Sequence, residues 1–530
     1  MAIMAMDTKV KQLVVVLSAC FFTFSSIAGD WQLKSSLKLD ETYSDNLELS
    51  QTDKTTGLVS QLGVNLGADY KAQNASFTFS STSTQAFYSH NHDLDKTYNE
   101  IEADTRILLW PNGLTFTASA AVTNQARNNS QNALASIISA DLVQTERYQA
   151  GLEYDINNSR YSLNSSADYQ ISEAEDRLGE NKGSNFSLTS SNGIAERHIF
   201  WDGSARYNER KRNDRNSKQR SIEVKIGIIT SYKLIPFIRY YDEDNSGNIS
   251  NNNGFETNSY GLGFRWQVKP RLFIDLSYNE PIDNSDSTNS QTDAYLDLLI
   301  NWQPTSRTKL LLSHSERFYG DSYGLNLSHR NRRLTNTISY NEQVQSFSRD
   351  NYQVVSSTFI CQNPDAIDLS DCFIQNGDVF NPEDISLITI NSLELVEDND
   401  YWLNKRLQWS SVLTLPRTSF SLKINHSDRE NLNSGSSNTT KSASLGANRK
   451  LSPSSSFGLQ ASYDERGYGQ SSTNPNGQTD KYRRYGINFK KSLNHALDFT
   501  LDLDRINRTS SQERYNYSEN RLSLRLTKDF

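Results

Sequence analysis

Histidine and acidic residues are the side chains of this 530-residue sequence that could bind a metal ion or act in catalysis. The stretch SHNHD places His90 and His92 on one parity, but no third ligand of a tetrahedral site is evident beside them. The stretch DEDNSG, which begins at Asp242, resembles the first half of a calcium-binding loop. Its twelfth position is Asn253 rather than the bidentate glutamate of the full motif. Solvated histidines and a flexible polar loop are the simpler interpretations.

No complete catalytic or cofactor motif accompanies these residues. A Ser-His-Asp set cannot be assembled from the sequence order, and neither a P-loop nor a dinucleotide fingerprint occurs. The sequence therefore assigns no catalytic, cofactor-binding or metal-binding residue and requires no cofactor. We expect a protein that is not an enzyme.

Cysteine chemistry involves three residues. Cys361 and Cys372 are close enough in sequence to close a small loop, and in an oxidising compartment we expect them to form a disulfide. A metal-binding pair is the alternative, but histidine partners are lacking nearby. Cys20 lies in the N-terminal segment considered below.

Charged residues alternate with apolar residues on three successive segments near the end of the sequence. They are Arg484, Lys490, Asp498, Asp502, Asp504, Arg521 and Arg525. Alternate residues of a β-strand face the same side of a sheet, so these side chains form basic, acidic and basic columns opposite an apolar face. We predict that the columns line the lumen of a barrel. Two interpretations of these charged residues stay open. They could stabilise the barrel wall through ion pairs, or they could line a water-filled path for a hydrophilic solute.

The elements that position these columns are predicted to be β-strands. Apolar residues alternate with polar ones along most of the chain, as in LVSQLGVNLGADY at residues 58–70 and LDFTLDLDRI at residues 497–506. The composition is polar and aromatic together, with 35% hydrophobic and 11% aromatic residues. Alternating segments of about ten residues, separated by turn residues, are typical of transmembrane β-barrels.

The connections between these segments are alternately short and long. Short ones include WPNGL at 110–114, and long ones rich in Asn, Ser, Asp and Gly include residues 242–254 and 427–438. Outer-membrane barrels combine short periplasmic turns with long outer loops and an even strand count. About twelve long loops predict an all-β, transmembrane, antiparallel up-and-down β-barrel of about 24 strands, in a range of about 20–26.

We expect residues 29–530 to form a single barrel domain with both ends in the periplasm. A long outer-loop insertion at about 342–400 contains the cysteine pair. Whether it caps the barrel, enters the lumen or faces the medium stays open.

Five of the seven tryptophans lie beside short turns or at the start of the first strand. They are Trp31, Trp110, Trp201, Trp266 and Trp302. Girdles of aromatic residues mark the membrane interface of barrels, so we predict that these five lie at one rim. Packing in a soluble core is the alternative.

The N-terminal segment predicts export to the outer membrane of a Gram-negative cell. Lys9 and Lys11 precede an apolar run, and small residues before Gly29 suggest a cleaved signal peptide at 1–28. The stretch LSAC resembles a lipoprotein box, so lipidation of Cys20 is the alternative. Cleavage after Ala28 is favoured because the apolar run continues beyond Cys20. A net charge of −8 gives no support for a nucleic-acid partner.

The last twelve residues, ENRLSLRLTKDF, have the pattern of an amphipathic strand. Its apolar face consists of Leu522, Leu524, Leu526 and Phe530, interrupted by Lys528. This pattern resembles the signal read by the barrel-assembly machinery, which we expect as a partner beside outer-membrane lipid and lipopolysaccharide. We also expect this strand to pair with the first, because an unpaired strand edge in lipid is costly.

Two stretches, DETYSDNLELS at 40–50 and NDYWLNKRLQWSSVLTLPRTSFSL at 399–422, resemble the outer-membrane proteins associated with PEP-CTERM systems. The resemblance covers essentially the whole chain after residue 28 and carries over no functional residue. It implies a barrel encoded with exosortase and exopolysaccharide systems. The expected function is surface or exopolysaccharide secretion, as conduit or accessory, with polysaccharide or other export components as partners. A general porin or nutrient channel and a surface adhesin or structural barrel with a sealed lumen are the alternatives.

Overall fold

The computed structural model describes residues 29–128, 136–139, 141–249, 254–282, 293–347, 400–470 and 477–530, together with the backbone of 352–361, 372–374 and 386–395. The predicted signal peptide, including Cys20, lies outside the described residues. So do about half of the residues of the insertion predicted at 342–400.

Twenty-four strands of the described residues form one closed antiparallel sheet. They are β1 (Asp30–Ser44), β2 (Gly57–Lys71), β3 (Ala75–Tyr88), β4 (Lys96–Trp110), β5 (Leu114–Ala126), β6 (Leu142–Asn157), β7 (Tyr161–Ala174), β8 (Asn181–Asn192), β9 (Ile199–Arg212), β10 (Arg215–Ile228), β11 (Leu234–Ser246), β12 (Phe255–Lys269), β13 (Leu272–Pro281), β14 (Tyr295–Thr305), β15 (Thr308–Arg317), β16 (Gly320–Arg330), β17 (Leu334–Gln345), β21 (Trp402–Thr414), β22 (Thr418–Asn431), β23 (Ser437–Ser452), β24 (Ser455–Gln470), β25 (Gln478–Asn494), β26 (Leu497–Ser510) and β27 (Tyr517–Asp529). The predicted all-β barrel of about 24 strands is confirmed.

A second, smaller sheet lies within the insertion. Its strands are β18 (Tyr352–Cys361), β19 (Cys372–Ile374) and β20 (Ser386–Leu395). Short 3₁₀ turns occur at His92–Leu94, Ile137–Ser139 and Glu513–Tyr515. Among the described residues, no helix has the length and apolar character needed to span a membrane.

The barrel closes between its first and last strands. β1 pairs with β27 from Ser36 opposite Asp529 to Ser44 opposite Arg521, as the sequence predicts. Thr42 Oγ1 lies 2.8 Å from Ser523 Oγ across this seam. A closed sheet leaves no backbone edge unpaired, which is the condition for strands to cross a bilayer.

Alternation along each strand separates an apolar outer face from a polar inner face. On β27, Leu522, Leu524 and Leu526 point outward and are 37–42% exposed, whereas Ser523 and Arg525 point inward. Exposed apolar side chains recur on the outer face of most strands. An apolar surface of this extent is unfavourable in water and fits contact with lipid.

The two ends of the barrel differ, and the strands at one end are longer than expected. The start of β1 and the end of β27 lie at the short-turn end, where connections such as Lys269–Leu272 are tight. At the other, long-loop end, part of two predicted loops belongs to strands. The segment Asp242–Ser246 completes β11, and Ser427–Asn431 completes β22. Polar residues therefore form strands that continue beyond the apolar belt.

Candidate functional site

A polar cavity of about 750 Å³ lies along the inner wall of β22–β27, β1 and β2. Three glycines, Gly446, Gly458 and Gly486, form part of its wall. A Cβ atom at Gly446 would lie 2.7 Å from Ser421 Oγ, and one at Gly486 would lie 2.8 Å from Asp504 Oδ1. Glycine at these positions therefore leaves room for neighbouring polar side chains and keeps the wall concave.

Five of the seven charged residues of the predicted columns line this cavity, all except Lys490 and Asp498, and six of the seven form ion pairs. Arg484 binds Asp504 through Nε and Nη2, at 3.0 and 2.9 Å. Lys490 Nζ lies 2.7 Å from Asp498 Oδ2.

Near the pairing of β1 with β27, the other charged residues of the columns contact partners that the alternation of residues does not predict. Arg525 Nε lies 2.7 Å from Asp40 Oδ2 on β1, and Arg521 pairs with Glu519 on its own strand. Asp502 instead accepts a hydrogen bond from Asn488. These pairs brace the wall, and a role of the columns in passage of a solute stays a prediction.

The segment between β5 and β6 contributes the cover of the cavity. Ser136, Ile137 and Ile138 line it. Arg521 Nη1 donates to Ser136 Oγ at 3.1 Å, and the Tyr88 hydroxyl donates to the Ile137 carbonyl. Ile138 packs in an apolar cluster with Leu47, Val59, Ala86, Tyr88, Tyr98 and Leu142. Strand periodicity does not report how a connection folds, so the alternation of residues contains no signal for this contact.

The wall of β9–β15 is filled by buried ion pairs. Arg265 binds Asp275 through two bonds of 2.6 Å, and its guanidinium carbon lies 4.3 and 4.2 Å from the ring centroids of Phe200 and Phe273. Lys225 Nζ lies 4.0 Å from Asp275 Oδ2 and 3.5 Å from Asp297 Oδ1. Such pairs stabilise the arrangement only while every partner is present.

The same network continues from β10 to β15. Arg239 Nε lies 2.8 Å from Glu223 Oε1, and its Nη2 lies 3.3 Å from Asp297 Oδ2. Arg317 on β15 donates from Nε to Glu243 Oε2 on β11 at 2.8 Å, although three strands separate these two along the wall. This part of the interior is therefore packed rather than open.

Distant parts of the wall also meet at the long-loop end. Gln219 Nε2 donates to the Val344 carbonyl at 3.3 Å, which joins β10 to β17. The Tyr401 hydroxyl donates to the Ser246 carbonyl. Burial raises the pKa of Tyr401 to about 12, so the hydroxyl stays protonated as this bond requires.

The first five residues of the DEDNSG stretch belong to a strand rather than to a loop. Because residues 242–246 are strand, successive carboxylates face opposite sides of the sheet. Asp242 pairs with Arg220 at 2.9 Å, whereas Glu243 pairs with Arg317 on the inner side. His92 Nδ1 lies 3.3 Å from Asp95 Oδ2. Nowhere in the described part of the chain do three His, Cys, Asp or Glu side chains form a group that could hold a metal ion.

The five predicted interface tryptophans lie at the short-turn end with their side chains on the outer face. The Trp31 ring is 4.7 Å from that of Tyr70, and Trp201 Nε1 donates to Ser190 Oγ at 3.1 Å. Trp110, Trp266 and Trp302 are exposed. Their position at a membrane interface stays a prediction. Trp402 differs from them: it is buried, with the Arg429 guanidinium carbon 4.6 Å from its ring centroid.

The cysteine pair lies in the small sheet of the insertion. The backbone pairing of β18 with β19 places Cys361 directly opposite Cys372. Opposed Cα atoms of an antiparallel pair are about 4.5–5.5 Å apart, within the span of a disulfide. The disulfide itself stays a prediction.

No protein-family model matches the chain, and no curated protein matches it in sequence. Solved structures with a similar architecture include the siderophore receptor PirA from Pseudomonas aeruginosa, at 11% identity and a TM-score of 0.38, covering 94% of this chain and 80% of that one. PirA from Acinetobacter baumannii has 9% identity and a TM-score of 0.42, with the same coverage. The FrpB iron transporter from Neisseria meningitidis has 10% identity and a TM-score of 0.43, covering 94% and 82%. At these values the likeness assigns no ligand to this chain.

Proposed function

We propose that this protein is a β-barrel of the Gram-negative outer membrane that conducts a hydrophilic solute through its lumen. The observation that carries the proposal is the polar cavity on the inner wall of a closed barrel whose outer face is apolar. An outer apolar band fits lipid, and a polar interior fits water and solutes. A barrel of this strand number is wide enough to enclose an aqueous or partly plugged lumen.

We further propose surface polysaccharide export as the process that it serves, as conduit or accessory. The support is the resemblance of residues 40–50 and 399–422 to barrels of PEP-CTERM systems. The lining of the cavity is compatible with sugar hydroxyls, since Ser421, Gln460 and Asn488 can donate and accept hydrogen bonds. Deletion of the gene is expected to abolish surface polysaccharide, whereas a general porin would leave it unchanged.

Conductance across a planar lipid bilayer tests the conduit. The refolded full chain is expected to give stable single-channel currents. Gly458→Trp places a large ring in the cavity and is expected to lower the conductance. Gly458→Ala is the matched control, because a Cβ there meets only ordinary contacts at 3.6 Å and beyond, and it should conduct as the original chain does.

A barrel with a sealed lumen is the second candidate function, as a structural protein or adhesin. It is favoured by the packed interior of β9–β15 and by the contact of β10 with β17 at the long-loop end. It predicts that correctly folded protein carries no current. That result would overturn the conduit and support the sealed barrel.

A further inference from the structure

Across six neighbouring barrel strands, β15–β17 and β21–β23, all inward charges have the same sign, and they lie on every strand but β17. The strand registers place one set of alternate residues of each strand on the inner wall, continuous with Lys423 in the cavity. Every charged side chain in that inner set is basic. The set comprises Lys309, Arg317, Arg330, Arg406, Lys423, Arg429 and Lys450.

Two of these seven are already engaged in packing. Arg317 binds Glu243, and Arg429 is buried against Trp402. The other five, which we call the basic wall, are Lys309, Arg330, Arg406, Lys423 and Lys450. All five are exposed, and none forms an ion pair with any other residue that the structure describes. Arg406 has neutral hydrogen-bond partners, such as Asn425 Oδ1 at 3.2 Å from its Nε.

The basic wall differs from the neighbouring arc of the same barrel. On β25–β27 and β1, inward arginines are neutralised by nearby carboxylates, as in Arg484 with Asp504 and Arg525 with Asp40. On the basic wall no acidic residue shares the inner face of the strand. Its positive potential is therefore not compensated locally, and a low-dielectric wall concentrates such a field in the lumen.

Acidic residues face the lumen from the far side. Glu100, Glu102 and Asp104 are alternate residues of β4 on its inner face, and all three are exposed without an ion pair among the described residues. At least seven strands separate β4 from the basic wall in either direction around the barrel. The two opposite charge distributions produce an electric field across the lumen. This field attracts anions to the basic wall and repels them from β4.

We propose that the basic wall is a binding track for anionic solutes and that the lumen prefers anions over cations. This inference rests on the proposed transport function and names the class of solute that it carries. Rings and rows of Arg and Lys side chains select anions in pores by favourable Coulomb interaction. A carboxylate, a phosphate or a sulfate group on the solute would supply the same charge.

The reversal potential in a KCl gradient measures this preference on the full chain in a planar bilayer. We expect chloride selectivity, and we expect Arg406→Gln, Lys423→Gln and Lys450→Gln together to lower the chloride-to-potassium permeability ratio on the order of threefold. The matched control is Lys405→Gln with Lys441→Gln, since these neighbours lie on the opposite face of β21 and β23. Equal permeability ratios for the triple variant and the original chain would overturn the proposal.

Binding of a charged sugar provides a second readout that does not need a current. Fluorescently labelled trigalacturonate and neutral maltotriose are titrated into detergent-solubilised protein and followed by anisotropy. We expect the original chain and the control to bind trigalacturonate at least about tenfold more tightly than maltotriose, and the triple variant to lose that difference. Equal binding of the two sugars would overturn the inference.

The two measurements separate this inference from the transport function. Current without anion preference, or with a preference that the basic wall does not control, would overturn the inference and leave transport in place. Anion binding without any current would overturn transport and leave the binding track.

Discussion

Inward-facing charged residues are arranged in two different ways around the barrel wall. On β11–β14 they are wholly or largely buried in contact with opposite charges, as in the bidentate pair of Arg265 with Asp275. On the basic wall they are exposed and without a charged partner among the described residues. Buried pairs favour rigidity and exclude water, whereas exposed charges of one sign remain available to a solute. Packing and binding thus occupy separate arcs.

Asp275→Asn tests the packed arc. The side chain of Asp275 is fully buried, so the substitution leaves the charges of Arg265 and Lys225 without their shared partner. We expect the free energy of unfolding to fall by about 3–5 kcal/mol. Urea unfolding followed by tryptophan fluorescence in lipid vesicles measures it.

The matched control for Asp275 is Asp202→Asn. Asp202 lies 3.5 Å from the same arginine, but its side chain is 47% exposed. Exposed pairs contribute less than about 1 kcal/mol, so this variant should unfold close to the original chain. Equal stability of the two variants would show that the buried network does not hold the wall.

The sequence predicted which side of the wall a charge occupies but not which partner it meets. Alternation places Arg484 and Asp504 on the same face of neighbouring strands, and they do pair. The contact of Arg317 with Glu243 joins strands that are not neighbours, and that of Arg521 with Ser136 reaches a connection five strands further along the wall. Such contacts depend on the curvature of the barrel, which single-strand periodicity does not contain.

Among the elements, the described part of the β5–β6 connection lines the cavity with Ser136, Ile137 and Ile138. Ile138→Asp places a charge in the apolar cluster around Tyr88 and is expected to release this segment from the wall. The single-channel conductance should then rise. Recordings in planar bilayers check this outcome.

Ile194→Asp serves as the control for Ile138. Ile194 is 92% exposed in the β8–β9 turn at the opposite end, so its substitution should leave the current unchanged. If both variants conduct as the original chain does, residues 136–138 do not limit passage.

The small sheet of the insertion leads to a prediction about the oxidation state of its two cysteines. Cys361 and Cys372 are opposed in register, so protein isolated from an oxidising compartment should contain them as one disulfide-linked peptide. Closing a loop of about 12 residues stabilises the ordered segment by about 3 kcal/mol in the chain-entropy model. Mass spectrometry of an unreduced digest detects the linked peptide, and full alkylation of both thiols before reduction would contradict it.

The number of strands was easier to predict than their ends. Alternation and the sequence of short and long connections yield the strand count, because each strand must cross the same membrane thickness. The ends depend on pairing beyond the lipid belt. Residues 242–245 carry loop-like composition yet pair with β12 as strand, because backbone hydrogen bonds there are satisfied by the neighbouring strand rather than by water.

For the whole molecule, closure is the decisive property. Thr42 and Ser523 are opposed across the seam although 481 positions separate them in the chain. In a chain that carries Cys361→Ser and Cys372→Ser, Thr42→Cys with Ser523→Cys is expected to form an intramolecular disulfide on oxidation. Migration of the unfolded protein on a gel without reductant measures it, because a circular cross-link makes the unfolded chain more compact.

A displaced pair provides the control for closure. Thr42→Cys with Thr527→Cys places the thiols on the same two strands, four residues out of register. This pair should cross-link far less. Equal cross-linking of both pairs would mean that the seam is not held in the register described.

The buried network of β10–β15 also has a consequence for how related sequences can diverge. Lys225 contacts Glu223, Asp275 and Asp297, and Arg239 shares two of these partners. Loss of one charged residue leaves its buried partners without an opposite charge, which is costly. A single replacement is therefore selected against, whereas simultaneous replacement of both partners of an ion pair is tolerated. In related sequences the residues of the buried network should therefore change together. Each residue of the basic wall should vary independently, as long as the wall keeps its net positive charge.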